Sequence, residues 1–459
     1  MTIVLGIPAS ILNSIEDRTL ERSFRDALFP EMLFRDTARP ELWEGNLGEN
    51  ATFTRMGLLA PATTPLNPGV DPTPASAGIE QWEVTGRKWG NTIDTHLPTS
   101  HVSIASQFLK NNKLLALNAA QTLNRLVRNA MYRAYCAGHT VNTVAGIAGD
   151  TTVRVAALNG FRRVLVNGRL QDVSAANPLA IAPGALAANT VVGTVPDVAA
   201  DPDGPGQLLL GAALGGAGLP LRSAVLSSTR PTIIRSGGGT SVDALTSGDV
   251  LTMQDIIDAV ARLRLMNVPA FGDGTYHVHL DSVSESQIFR DAAFQRLNTS
   301  LPDGIRYKDA AIKNLGGTIP FRNQECPRLD NAGATTATPT LSRYSRDIAA
   351  ETVNNVGINV HRPIVCGEGC CVEKFFDESK FITEAGNIGL VGGFAVQQNN
   401  GLAIMVERIR HIIRAPVDRL FELVGSTWSF SGDFAIPSDF LSGDAAQYKR
   451  AVVIEHANA

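Results

Sequence analysis

The chain has 459 residues, which at roughly 150 residues per domain predicts two to four domains and a core that needs neither disulfides nor metal. Apolar residues make up 44% and charged residues only 18%, which excludes a disordered chain and favours a subunit that buries surface against neighbours. With Lys+Arg 40 against Asp+Glu 44, a net charge of -4 and no basic run, the composition excludes a protein whose main task is gripping nucleic-acid phosphates.

Residues 14–29 read as a helix, with Ser14 and Asp17 as a capping box and Pro30 as its stop. The sequence ahead of it, MTIVLGIPASILN, has no Lys or Arg before its apolar run, so no signal peptide is expected. No apolar stretch anywhere reaches the roughly 18 residues of a transmembrane helix. Residues 51–57 and 79–98 read as β structure, with Trp82 and Val84 on one face and Gln81 and Glu83 on the other. Between them, 58–78 holds Pro61, Pro65, Pro68, Pro72 and Pro74. A structureless loop of about 20 residues is uncommon in a compact domain. A long two-stranded arm with a Pro-rich tip accounts for it, and such a hairpin needs another surface to lie on.

Residues 103–137 contain no Gly and no Pro, and Ile104, Phe108, Leu115, Leu123, Leu126, Ala130 and Ala134 recur at near-helical spacing. This predicts a helix of about 50 Å, a strut across the molecule, stopped by Gly138. Residues 150–168 read as a further helix or mixed segment. From 169 to 249, Val, Ala, Gly, Pro, Thr and Leu dominate, and a small β-rich module is expected. Helices are expected at 251–267, with Thr252 or Asp255 near the start, at 284–298 and at 305–315. Strands are expected at 275–280, within 315–323, in VNNVGIN and in PIVCGEGCCVEKF. Residues 328–345 read as a surface loop, and GLAIMVERIRHIIR (401–414) as one long core strand.

The order of these elements resembles the major capsid protein of tailed double-stranded DNA bacteriophages, the Hong Kong 97-type fold. The nearest local likeness is FTRMGLLAPATTPLNPGVDPTPASAGIEQWEVTGRKWGNTIDT (53–95), which is similar to the extension loop of that family. Ser103–Ala137 is similar to its spine helix, and GTYHVHLDSVSESQIFRD (274–291) to its strand leading into a helix with an Arg-Asp pair. The resemblance implies an α+β fold divided into a 1–48 N-terminal arm, a 49–100 extension loop, a 101–139 spine helix of the peripheral domain and the start of an axial domain at 140–168. A β-rich inserted domain at 169–249, the axial domain at 250–400 and peripheral strands with a C-terminal tail at 401–459 complete it. It implies a structural protein rather than an enzyme, assembling with itself as hexamers and pentamers into an icosahedral virion shell in the bacterial host cytoplasm. Portal, scaffolding or decoration proteins are the implied partners, and DNA is enclosed without sequence-specific binding. Arg55, Trp82, Lys88 and Trp89 are the expected assembly contacts, aromatic anchors being common at interfaces. An encapsulin-like compartment shell and a hydrolase with a β-insert remain the alternatives.

Some relatives join Lys to Asn with help from a Glu; Lys88 is a candidate by position, but no matched Asn and Glu stand out. Cys366, Cys370 and Cys371 form the densest potential metal cluster, with His361 near, but no second C-x-x-C pair accompanies them. They read first as buried thiols, with a metal site or a disulfide as alternatives. The five cysteines, which include Cys136 and Cys326, are too few for a disulfide framework. His277 and His279 share one strand face without an evident third ligand. Ser236-Gly-Gly-Gly-Thr240 lacks the Lys-Ser/Thr of a phosphate loop and reads as a turn. G-x-S-x-G and H-E-x-x-H are absent, so no catalytic residue, cofactor or metal is expected.

Overall fold

The computed structural model describes residues 19–28, 33–43, 50–56, 79–96, 107–167, 169–181, 189–216, 218–299, 316–329, 358–376, 390–391, 394–397, 401–414, 422–436 and 450–457, with single positions between 59 and 74 and at 186, 416, 419 and 420. The expected helix at 305–315, most of the 328–345 loop and most of VNNVGIN lie outside the described residues, as does the Ser14 capping box. The chain is a mixture of helices and largely antiparallel sheets, and it divides into two units.

The first unit takes in residues 1–52, 83–127 and 371–435. Its centre is an eight-stranded sheet. The 13-residue strand Leu423–Ala435 is the hub. It pairs antiparallel with Arg87–His96 on one edge and with Ile409–Arg414 and Cys371–Phe375 on the other. Ala38–Leu42 adds a parallel strand beside Cys371–Phe375. The segment 401–414 is not one strand. It is a hairpin, Gly401–Val406 against Ile409–Arg414, turned at Glu407 (φ 48°) and Arg408 (φ 66°). Two consecutive positive φ values make the tight turn that suits twisted strands. The sequence hides it because neither residue is Gly or Asn and the alternation runs on through the turn.

The helix Gln107–Tyr135 has 29 residues, its first part belonging to this unit. Phe108, Asn112, Leu115, Ala116, Ala119, Ala120, Leu123, Asn124 and Val127 are buried. The expected face included Leu126, Ala130 and Ala134, which lie half-buried at its flank. Reading only apolar positions displaced the stripe, because Asn112 and Asn124 occupy buried places on it. Asn124 Oδ1 accepts from the Phe34 backbone N–H at 2.8 Å, and Asn118 Oδ1 from the Trp428 indole at 3.1 Å.

The second unit takes in 53–82, 128–370 and 436–459. Its larger sheet has seven strands. Ala451–Ala457, with every residue buried, pairs antiparallel and in one continuous register with Val360–His361 and Ile364–Cys366, and parallel with Ile233–Arg235. The helix Met253–Leu265 buries Ile256, Ala259, Val260 and Leu263 in the same core as Val278, Val365 and Val452. Thr252 and Asp255 form a complete capping box at its start, a device worth about 1 kcal/mol. The strand Tyr276–Leu280 runs into the helix Ser282–Arg290, and Asp291 then accepts from the Met253 N–H at 2.8 Å.

A second core in this unit belongs to a four-stranded sheet made of Thr152–Val155, Gly206–Leu210, Thr190–Pro196 and Leu179–Ala180. That sheet takes the strand Thr152–Val155 from ahead of residue 169, and His139–Val141 pairs with Ala224–Leu226. Of the two readings of 150–168, the helix does not form among the described residues; the segment supplies the strands Thr152–Val155 and Arg163–Val166. Val153 and Val155 alternate with exposed Thr152 and Arg154, a period of two that a four-residue run barely displays.

Candidate assembly arm and buried ionic anchors

Asn50–Met56 and Ile79–Thr85 form a two-stranded sheet that pairs with no further strand among the described residues. Phe53 and Trp82 stack with ring centroids 5.6 Å apart, and Trp82 is only 4% exposed. Gln81 Nε2 donates to Thr54 Oγ1 at 3.1 Å, and Thr85 Oγ1 to Asn50 Oδ1 at 2.8 Å. The expected alternation holds, since Trp82 and Val84 are buried while Glu83 is exposed and Gln81 half-buried. Between the strands, the described positions Leu59, Thr63, Pro65, Gly69, Asp71 and Pro74 are all exposed.

The four expected contacts divide between two places. Arg55 lies in the first hairpin strand, its side chain outside the described residues, and Trp82 lies in the second. Lys88 and Trp89 are not on the hairpin. They lie in Arg87–His96, paired opposite Ser431 and Phe430 in the eight-stranded sheet. The β pattern of 79–98 is continuous in sequence, which hides the passage from hairpin to sheet at Gly86. Lys88 is exposed, and Trp89 is half-buried with an indole N–H that has no partner.

Buried charges that composition did not announce fix the sheets. Arg35 donates to Glu373 through Nη2 at 2.5 Å and Nε at 3.1 Å, with side chains 2% and 0% exposed. Arg408 approaches the same carboxylate at 3.4 Å, and Arg35 also donates to the Glu407 carbonyl at 3.1 Å. In the second unit, Glu455 pairs with Arg235 and with Arg362, each at 2.7 Å. Burial alone would raise the Glu455 pKa, but Arg235 and Arg362 outweigh it and bring it below the ordinary value. One sequence signal marks this site: a Glu within the apolar run AVVIEHA. Removing one member of such a buried pair leaves an uncompensated charge and costs about 3–5 kcal/mol.

Asp281 caps the helix Ser282–Arg290 by accepting from the Ser284 N–H at 3.0 Å. It also takes short hydrogen bonds from the Ser284 hydroxyl and from His361 Nδ1. Ser284 Oγ meets His456 Nε2 at 2.7 Å, and the His361 and His456 rings stack at 5.5 Å. Burial would raise the Asp281 pKa, but His361 and Ser284 bring it down to about 2. Serine, histidine and aspartate thus meet, but Ser284 and His456 are both 0% exposed, so no substrate carbonyl can reach the hydroxyl. The group is a buried helix cap.

The five cysteines are buried. Cys366, Cys370 and Cys371 are each 0% exposed and pack as small apolar groups. His277 stacks on Phe271 at 3.8 Å, while His279 is buried against Phe321 at 5.7 Å. Among the described residues no group of three or more His, Cys, Asp or Glu side chains is placed to hold a metal ion. No described helix is long and apolar enough to cross a membrane.

No family model matches the chain, and no curated protein matches it. Solved structures do. The capsid of Ralstonia phage GP4 aligns over 92% of this chain and 87% of its own, at 12% identity and a TM-score of 0.48. The capsid of cyanophage P-SCSP1u aligns over 93% and 88%, at 11% identity and a TM-score of 0.47. The holo-SrpI encapsulin complex of Synechococcus elongatus PCC 7942 aligns over 93% and 88%, at 9% identity and a TM-score of 0.37.

Proposed function

We propose that this chain is a structural shell subunit, the major capsid protein of a tailed double-stranded DNA bacteriophage with a Hong Kong 97-type fold. The observation that carries the reading is the hairpin Asn50–Met56 and Ile79–Thr85, whose Pro-rich connection is exposed at each described position and which has no third strand among the described residues. A two-stranded hairpin is marginal alone in water and gains stability by lying on another surface. Identical chains that lend such an arm to a neighbour tie each subunit to several others, raising avidity without new pockets. Rings of six and five use head-to-tail contacts of the kind that close.

In this reading the eight-stranded sheet and the 29-residue helix form the peripheral domain, and the seven-stranded sheet with its helices forms the axial domain. The four-stranded sheet is an insertion. Arg55 and Trp82 act on the arm, while Lys88 and Trp89 act from the edge strand Arg87–His96. Near-neutral charge suits a shell that encloses DNA without trapping it. The fully buried Ser284 supports a structural rather than a catalytic role.

Expression of the full chain, followed by negative-stain electron microscopy and analysis of enclosed material, tests this. Closed shells, rings or tubes of regular width are expected, with the virion as the final location and portal or scaffolding proteins as further partners. A chain that stays monomeric across salt and concentration, even beside candidate scaffolding protein, would remove the shell reading. Shells that enclose a specific enzyme in the native host, instead of DNA, would make this a cellular compartment protein.

A further inference from the structure

In the second unit a cavity of about 340 Å³ is lined by His139, Arg230, Arg235, Thr240 and Arg262, with Gly239 and the 231–233 backbone completing its wall. We propose that this cavity binds a small phosphate-class oxyanion, an assignment independent of the shell reading.

The wall carries three arginines and a histidine and, among the described residues that line it, no Asp or Glu. Arg235 is 7% exposed. Its Nε donates to Glu455 at 2.7 Å and its Nη1 to the Thr240 carbonyl at 2.8 Å, while Nη2 has no partner. A buried guanidinium N–H without an acceptor is costly, and an oxyanion supplies one. The carboxylate that serves Arg235 is shared, since Arg362 also lies 2.7 Å from Glu455. Two buried arginines thus draw on the Glu455 carboxylate, and Arg230 and Arg262 line the same cavity as Arg235.

The neighbouring groups sense the Arg235 charge. Burial and then Arg235 pull the Arg230 pKa down. Burial and then Arg235 bring His139 to about 3, so the imidazole is neutral; its Nε2–H donates to the Pro231 carbonyl at 2.8 Å. The Gly-rich turn contributes too, since Gly237 (φ 82°) and Gly238 (φ 77°) bend the chain so that Gly239 and Thr240 reach the wall. The volume lies at the small end of ligand pockets, which range over roughly 300–1,000 Å³. It suits inorganic phosphate or the head of a small phosphomonoester and excludes a polymer.

The test uses the full chain in phosphate-free buffer at constant ionic strength. It is titrated with inorganic phosphate and, separately, with a 5′-mononucleotide, and read by calorimetry and thermal unfolding. A saturable rise in unfolding temperature with phosphate is expected. Arg262→Gln, at an exposed position, and the double variant R230Q/R262Q should weaken binding by about tenfold or more each while far-UV circular dichroism stays unchanged. Equal responses to both probes identify the phosphate head as the ligand, and a response to the mononucleotide alone identifies a phosphomonoester. No saturable response to either probe, or the same response in R262Q as in the parent chain, overturns the proposal.

Discussion

His411 lies fully buried with its ring stacked on Phe24 at 4.6 Å, and neither ring nitrogen has a hydrogen-bond partner. Burial brings its pKa to about 3. His139 and His279 are also brought to about 3, and His456 to about 4, in each case chiefly by burial. In the unfolded chain these groups titrate near the ordinary value of about 6.5. As pH falls below that value the unfolded state takes up protons that the folded state refuses, so stability falls with pH. Each imidazole contributes a slope on the order of 1 kcal/mol per pH unit until its folded pKa is reached. Asp281 acts lower down: its stabilising share is whole above about 3.8 and is lost as pH falls toward about 2. Asp36 and Asp433, raised by burial, oppose this trend over part of the acid range. Urea unfolding followed by tryptophan fluorescence from pH 7 to pH 4 should therefore show a steady loss of midpoint. His411→Phe should leave the pH 7 midpoint equal or higher, because no hydrogen bond is lost, and should reduce the acid slope by one proton. An unchanged slope would show that His411 is protonated in the folded chain. These histidines were invisible in sequence as neutral groups, for nothing local marks which imidazole will be buried. Glu455 was more legible, since a lone acid in AVVIEHA requires a partner, although the partners Arg235 and Arg362 are remote in sequence.

At the scale of elements, legibility follows local signals. The helix Gln107–Tyr135 and the helix Met253–Leu265 were readable because composition, period and caps agree. The arm strands were readable because alternation is clear over seven residues on the second one. The turn at Glu407 and Arg408 was not, because its backbone is set by tertiary contacts. The Glu407 carbonyl accepts from Arg35 at 3.1 Å, and Arg408 pairs with Glu373 at 3.4 Å. Those bonds hold two non-glycine residues in the left-handed region, which costs each roughly 1–2 kcal/mol. The Glu407 side chain is exposed, and only its backbone serves Arg35. Glu407→Asn should then stabilise the hairpin by about 0.5–1 kcal/mol, since Asn accepts this conformation more readily. A higher urea midpoint with the Arg35 contacts retained is the expected result. A loss of midpoint would mean that the Glu407 side chain, rather than its backbone, secures the turn.

At the scale of the whole molecule, the sequence order of arm, long helix, strand-to-helix segment and late strands was legible, whereas the partition into units was not. Long-range pairing decides that partition. Thr152–Val155 joins Gly206–Leu210, and Ala38–Leu42 joins Cys371–Phe375, across separations that no window of sequence reports. What the chain needs to fold is separable from what it needs to assemble. The described cores of the second unit are built from residues beyond 152, and the sheet of the first unit is closed by Leu423–Ala435. None of them draws on a described residue of 57–78. Replacing 57–78 by Asn-Gly gives the two-residue turn that a twisted hairpin favours and leaves Asn50–Met56 and Ile79–Thr85 in place. Far-UV circular dichroism and the urea midpoint should match those of the parent chain, while closed shells vanish from negative-stain fields. Arg55→Glu should weaken assembly in the same direction with the connection intact, since it reverses charge on the arm itself. Normal shells from the shortened chain would remove the arm from assembly and shift that role to the edge strand Arg87–His96, whose exposed Lys88 and half-buried Trp89 would become the next residues to change.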